Sequence, residues 1–334
     1  MTRAERRGTT ARLEEIGEFG LIQQVRGNHS TVSSPVQLGI GDDCAVFSLP
    51  DEKMGLITTD TLVEDTHFRL KWTDFFSLGR KCLNVNISDI AAMGGVPLFY
   101  TLSLGLPRSL LAEEIGAFYA GLDDAAKAFG VQLVGGDTCY SRQMTVTITL
   151  VGSTSRGSVV LRRGAKPGDL VALSGVPGLS AVGLEALEKG IEPRRADRAI
   201  KAHLDPVPKV ALGRALAESG IASAMIDTSD GLAWDCEKIA TESGVALVLE
   251  EDSIPLPMVP EGFSHDPLFY ALHGGEDYQL LFTLSPLRIS QLAQVENQLK
   301  EMITIIGRVE EGEGVFVESE AGRRPLKPEG FKHF

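Results

Sequence analysis

Residues 74–95 read DFFSLGRKCLNVNISDIAAMGG, and the periodicity of this stretch decides the fold. It predicts a helix from about Asp74 to Met93, on which Cys82, Asn86, Asp89 and Met93 fall at i, i+4, i+7 and i+11 and share one face. An aspartate on that face is turned inward. Taken alone, it reads equally well as a structural carboxylate satisfied by backbone N–H groups. Outward from the helix, the apolar run Met54 to Thr59 and the extended stretch Leu98 to Leu106 read as flanking strands. A second helix is predicted from about Ser109 to Phe129, with Ile115, Phe118, Leu122, Ala125 and Phe129 on one stripe and Gly130 as its stop. Val131 to Val134 and Met144 to Val151 continue the strands, the latter alternating Thr with apolar residues as a half-exposed strand does. The pattern is that of an α/β domain ending near Gly152.

After LRRGAKPGD (161–169) a new strand-turn-helix begins in LVALSGVPGLSAVGLEALEKG (170–190), followed by helix-like segments around Ala211 and Ile239. With 334 residues the chain exceeds one ordinary core. The division expected is therefore a first domain over 1–152 and a second over 153–334. Hydrophobic residues make up 43% and charged residues 23%, the profile of a soluble globular protein. A formal net charge of -13 with no dense Lys/Arg face argues against a nucleic-acid partner. Cys44, Cys82, Cys139 and Cys236 show no zinc or disulfide spacing. No apolar run is long enough to span a bilayer and the N-terminus lacks a signal-peptide core, which places the protein in the cytoplasm with no membrane partner.

Six segments pack acids against Gly, Ser or Thr between apolar residues: GIGDDCAVF (39–47), TTDTLVEDTHF (58–68), NISDIAAMGG (86–95), LVGGDT (133–138), MIDTSDGL (225–232) and GGEDYQLLF (274–282). Acids at the ends of apolar strands tend to meet in the crevice at a sheet edge. Two carboxylates 4 Å apart repel by roughly 4 kcal/mol at an effective dielectric near 20, so a convergent set calls for cations. Oxygen donors without thiolate or imidazole favour hard Mg²⁺ or Mn²⁺ over zinc. Walker, protein-kinase and hydrolase-triad patterns are absent from the sequence. GVPGLSAVG reads as a helix-packing turn before it reads as a phosphate cradle. His67, at the end of an acidic motif, is the one histidine singled out.

In this order the six motifs resemble those of the thiamine-monophosphate kinase family, from about residue 38 to the C-terminal GFKHF. The resemblance implies the fold of aminoimidazole-ribotide-synthetase-like ATP enzymes: α/β of the α+β type, with an N-terminal sheet domain that dimerises and a C-terminal α/β domain beside it. It implies ATP-dependent phosphorylation of thiamine monophosphate, with several Mg²⁺ ions, ATP as co-substrate and a homodimer. Carried over by motif position, the metal set is Asp43, Thr58, Thr59, Asp60, Asp89, Asp137, Asp227 and Asp230. The ATP set is Tyr119, Gly135, Gly136, Arg162 and Ser229, and the thiamine phosphate set is His67, Glu276 and Phe331. Asp43, Asp60, Asp89, Asp137 and Arg162 are the expected catalytic residues. Selenophosphate synthetase and the hydrogenase-maturation carbamoyl dehydratase are the alternatives within the superfamily, and both are expected to carry cysteine signatures that this chain lacks. A non-catalytic magnesium-binding scaffold is the alternative from another class.

Overall fold

In the computed structural model, which describes residues 20–23, 25–27, 33–191 and 193–329, helix α1 (Phe75–Ala92) begins where the Asp74 carboxylate accepts the N–H of Ser77 at 2.8 Å. This is an ordinary N-cap. Thirteen of its eighteen residues are buried, so α1 lies inside the molecule, as a helix without a solvated face must. Helix α2 (Ala112–Phe129) starts three residues later than its periodicity suggested. A turn closed by Leu110 N–H to the Pro107 carbonyl comes first, and Glu114 then accepts the Leu111 N–H at 2.7 Å. The two helices cross closely: a Cβ on Gly79 would lie 2.1 Å from the Phe118 carbonyl oxygen, and one on Gly121 1.9 Å from that of Phe76.

Both helices cover one face of a six-stranded sheet. Its strands are β1 (Val36–Leu38), β2 (Ala45–Ser48), β3 (Lys53–Val63), β4 (Val96–Leu106), β5 (Gln132–Tyr140) and β6 (Thr145–Ser155), in the order β1-β2-β3-β6-β4-β5. All neighbours are antiparallel except β4 and β5, which α2 joins as a parallel pair. Leu56, Tyr100, Phe118, Leu122 and Ile148 pack between sheet and helices. The expected strand at 131–134 runs on to Tyr140. It can do so because Gly136 sits where a Cβ would meet the Leu102 carbonyl oxygen at 1.8 Å.

The second sheet holds β7 (Leu170–Ser174), β8 (Ala222–Asp227), β9 (Ala246–Glu250), β10 (Leu280–Leu284), β11 (Ile303–Glu310), β12 (Gly314–Ser319) and β13 (Gly322–Pro325), in the order β13-β12-β9-β11-β7-β10-β8. Helices α3 (Leu179–Glu188), α4 (Pro193–Leu204), α5 (Val210–Glu218), α6 (Leu232–Ser243), α7 (Pro267–His273) and α8 (Ile289–Leu299) accompany it. Apolar clusters around Ile239 and around Phe282 fill its two sides. Helix α1 joins the halves, packing on β3 and β6 of the first sheet and on α5 and β8 of the second. Arg80 pairs with Asp205 at 2.9 Å, Asn84 Nδ2 donates to the Pro206 carbonyl at 2.9 Å, and Ser88 Oγ donates to Asp227 at 2.5 Å. Among the described residues no helix is long and apolar enough to cross a membrane.

Candidate active site

Three of the acidic motifs meet at α1. Carboxylate oxygens of Asp43, Asp89 and Asp227 all lie within 4.8 Å of one another. Asp89 comes from the inward face of α1, Asp227 from the last residue of β8, and Asp43 from the loop before β2. The α1 face predicted from periodicity explains the third: Met93, one turn beyond Asp89, accepts the Cys44 N–H on its sulfur at 3.0 Å and holds that loop. Thr58 Oγ1 donates to Asp89 at 2.5 Å and Ser88 to Asp227. Arg162 Nη2 lies 2.6 Å from Asp43 Oδ1, while Asp43 Oδ2 is buried with no hydrogen-bond partner.

Burial, followed by the charges of Asp60, Asp227 and Asp43, pushes Asp89 well above the usual carboxylate range. Asp227 is displaced the same way, by burial first and Asp43 second. Asp60 rises to about 6 through burial and then the charges of Asp230 and Asp43. Asp42 rises to about 7 through burial and then Asp43, although Arg162 opposes both. Five aspartates thus stand close together with too little positive charge beside them. An orphaned buried oxygen and an all-oxygen donor set suit a hard divalent cation.

Strand alternation sorts the other expected residues. Thr58 and Asp60 share the inner face of β3, and the Asp60 N–H is held by Asn86 Oδ1 at 3.1 Å. Thr59 points the other way, with its hydroxyl on the Ile148 carbonyl and 3.1 Å from Thr149 Oγ1. Register places Asp60, Ile148, Leu102 and Gly136 in one row, and Thr61, Thr147, Ser103 and Asp137 in the next. Asp137 therefore lies on the outer face, three strands from β3, which is about 14 Å across the sheet. Gly135 has open space where its Cβ would be. Tyr119 packs against the first core, edge-on to Phe118. Ser229 lies in the loop after β8, and its carbonyl accepts the Glu276 N–H at 2.8 Å. Asp230 pairs with Lys238 at 2.6 Å, and Lys238 also reaches Asp235 at 2.8 Å. Phe331 lies outside the described residues.

A second group of charges surrounds Glu276, a residue held at φ 63. Lys81 Nζ from α1 lies 3.1 Å from its Oε1, an ion pair short of good hydrogen-bond angles, and His203 Nδ1 from α4 lies 3.3 Å from its Oε2. Burial would raise the Glu276 carboxyl, but Lys81 and then His203 outweigh it and hold it below its ordinary value. Burial, aided by Lys81 and opposed by Glu276, pushes His203 down to about 4. His67, whose Nδ1 accepts the Val63 N–H at 3.0 Å, stands near the same carboxylate and lowers it slightly further. Neither Lys81 nor His203 was singled out from sequence. The available signal was a lysine three residues after Leu78 and four before Val85, on the buried side of a helix.

The turn GVPGLSAVG behaves as a packing turn. The Asp277 carboxyl group accepts the N–H of Gly178 at 2.5 Å and of Ser180 at 2.9 Å, so the start of α3 is already occupied by a side chain of its own chain. Cys44, Cys82 and Cys236 are buried free thiols and Cys139 is an exposed one.

The model of the AIR synthase related protein N-terminal domain matches residues 41–154, and that of the C-terminal domain matches residues 166–320. Thiamine-monophosphate kinase of Bacillus subtilis is 37% identical over 95% of this chain and 99% of its own. The Aquifex aeolicus enzyme of that name is 38% identical over 97% of this chain and 100% of its own. The solved complex of AaThiL with AMPPCP and TMP superposes with a TM-score of 0.85 at 37% identity, covering 98% of this chain and 100% of that one.

Proposed function

The chain belongs to the thiamine-monophosphate kinase family, and on that premise we propose that it transfers the γ-phosphoryl group of ATP to the phosphate of thiamine monophosphate, giving thiamine diphosphate and ADP. The observation that carries this reading is the convergence of Asp43, Asp89 and Asp227 beside Arg162, at the junction of the two sheets. Asp43, Asp60, Asp89, Asp227 and Asp230, with Thr58, are the residues proposed to hold Mg²⁺. Asp137 and Thr59 join that set on motif position alone, because their side chains lie on the outer face of the sheet. When bound, Mg²⁺ supplies positive charge to the phosphate groups and orients them.

The reaction is assigned as a single in-line displacement: a phosphate oxygen of thiamine monophosphate bonds to the γ-phosphorus while the bond to the β,γ-bridging oxygen breaks. That nucleophile needs no general base, since the second ionisation of a phosphate monoester lies near ~6. The chain's work is positioning and charge compensation. Arg162, raised far above its ordinary value because the attraction of Asp43 and Asp42 outweighs the cost of burial, stays cationic and faces the transferring group. Gly135, Gly136, Tyr119 and Ser229 are assigned to ATP. His67, Glu276 and Phe331 are assigned to thiamine monophosphate, Glu276 as the partner of its cationic end. A kinase drawing on ATP is placed in the cytoplasm.

We assign a homodimer to the outer face of the first sheet. Ile57 and Phe99 are exposed there, and every residue of edge strand β5, Leu133, Val134 and Tyr140 among them, is exposed. Unpaired edges and apolar patches of this kind favour a covering partner. Light scattering should give twice the chain mass, and Val134→Glu should give monomer; monomeric wild type would overturn the assignment.

The test of function is transfer from γ-labelled ATP with Mg²⁺ to thiamine monophosphate and, separately, to thiamine. Label in thiamine diphosphate alone supports the reading. Folded, metal-loaded protein that labels neither acceptor would overturn it. Isotopically chiral γ-phosphate should arrive inverted, and retention would exclude the single displacement.

A further inference from the structure

Lys81 is 2% exposed, so its ammonium touches no dissolved ligand directly. A lysine is among the residues least often found in that position unless it is paired. Its partner is Glu276, on the opposite half of the molecule, and the Glu276 side chain is 29% exposed. The pair is asymmetric: the cation is sealed in while one side of the anion remains open. A buried ion pair of this kind is a poor device for stability, because desolvation cancels most of the attraction. It is a good device for fixing the charge and orientation of a carboxylate. His203, held neutral and 3.1 Å from Ser180 Oγ, closes the other side of Glu276.

We propose that Lys81 is a positioning residue for substrate recognition, orienting the Glu276 carboxylate and keeping it an acceptor for the aminopyrimidine N–H groups of thiamine monophosphate, beside the thiazolium charge. This deepens the assignment of Glu276 and rests on it. An ionised carboxylate offers only acceptors, so it discriminates against ligands that present a lone pair or an anion there. Without the ammonium, the burial that already works against the charged form would prevail. Glu276 would then hold a proton at higher pH and offer a mixed donor and acceptor face. The groups facing Glu276 are Lys81 from α1, His203 from α4, His67 after β3, and its neighbours Asp277 and Tyr278. Of these Lys81 is the buried ammonium, 3.1 Å from the carboxylate.

The experiment compares wild type, Lys81→Met, Glu276→Gln and the double variant in steady-state transfer to thiamine monophosphate across pH. Lys81→Met should raise the KM for thiamine monophosphate by about 10- to 100-fold, leave the KM for ATP unchanged, and spare most of kcat. Removing the cation raises the Glu276 pKa, and the binding form is lost as pH falls through it. The acid limb of kcat/KM for thiamine monophosphate should therefore move to higher pH. In the Glu276→Gln background the Lys81 substitution should add nothing further. Where Lys81→Met does not fold, Lys81→Gln, which keeps a donor for the carboxylate, should show the same displaced limb. An unmoved limb and unchanged KM, in a wild type that does phosphorylate thiamine monophosphate, would overturn the positioning role. A wild type with no such activity would instead overturn the functional reading.

Discussion

Two groups of buried charge hang from the same helix, and they are built on opposite plans. Asp89 and Lys81 are eight positions apart on α1, about 12 Å along its axis. Around Asp89 stand Asp43, Asp227, Asp60 and Asp42, compensated mainly by Arg162, and one oxygen of Asp43 meets no donor. Around Lys81 stand one carboxylate and one neutral imidazole, so the charges cancel within the protein. The first group is incomplete without a cation from outside, which is what a metal and phosphate site requires. The second is neutralised by the chain's own groups, which is what a preset recognition surface requires. On the proposed assignments, one helix carries both the reactive end and the recognition end of the site.

The largest effect comes from breaking the first plan. Asp89→Asn should lower turnover by at least about a hundred- to a thousandfold. It also removes one of several repelling carboxylates, so metal-free protein should melt at or above the wild-type temperature. Lost activity together with lost metal-free stability would mean that Asp89 is structural. A smaller effect sharpens the same contrast. Ser88→Ala removes the hydroxyl that donates to Asp227, and the Mg²⁺ concentration for half-maximal turnover should rise by about tenfold. The KM for thiamine monophosphate, set at the other end of α1, should hold; a change in that constant alone would show that the two ends are not separable.

The contrast also explains what could be read from sequence. Periodicity in 74–95 placed Asp89 inward because a helix buried on nearly all sides leaves little choice, and the order of six motifs carried the family. Thr59 and Asp137 could be named by motif but not placed, since alternation along a strand decides their face and register decides their row. The length of β5 was hidden because the apolar run stops at two adjacent glycines, while Gly136 serves close strand approach. Lys81 and His203 escaped notice for a different reason. Their partner is about two hundred positions away for Lys81 and about seventy for His203, and no local spacing reports such a pairing.

The smallest effect tests the two plans in one solution variable. Asp60 titrates near 6 in the folded chain against 3.8 ordinarily, so between these values the native state binds more protons than the unfolded one. Its stability deficit is present above about 6 and is relieved as pH falls toward 4. His203 titrates near 4 against 6.5, so over this window the unfolded state binds more protons. Its contribution is present above about 6.5 and is lost as pH falls toward 4. Melting metal-free protein in a chelator, Asp60→Asn should exceed wild type at pH 7 and converge on it near pH 4. His203→Gln should gain on wild type as pH falls. Each difference is on the order of 1 to 3 kcal/mol. Saturating Mg²⁺ should erase the first trend and leave the second, because only the aspartates await a cation; two trends of the same sign, or two that respond alike to Mg²⁺, would merge the plans into one.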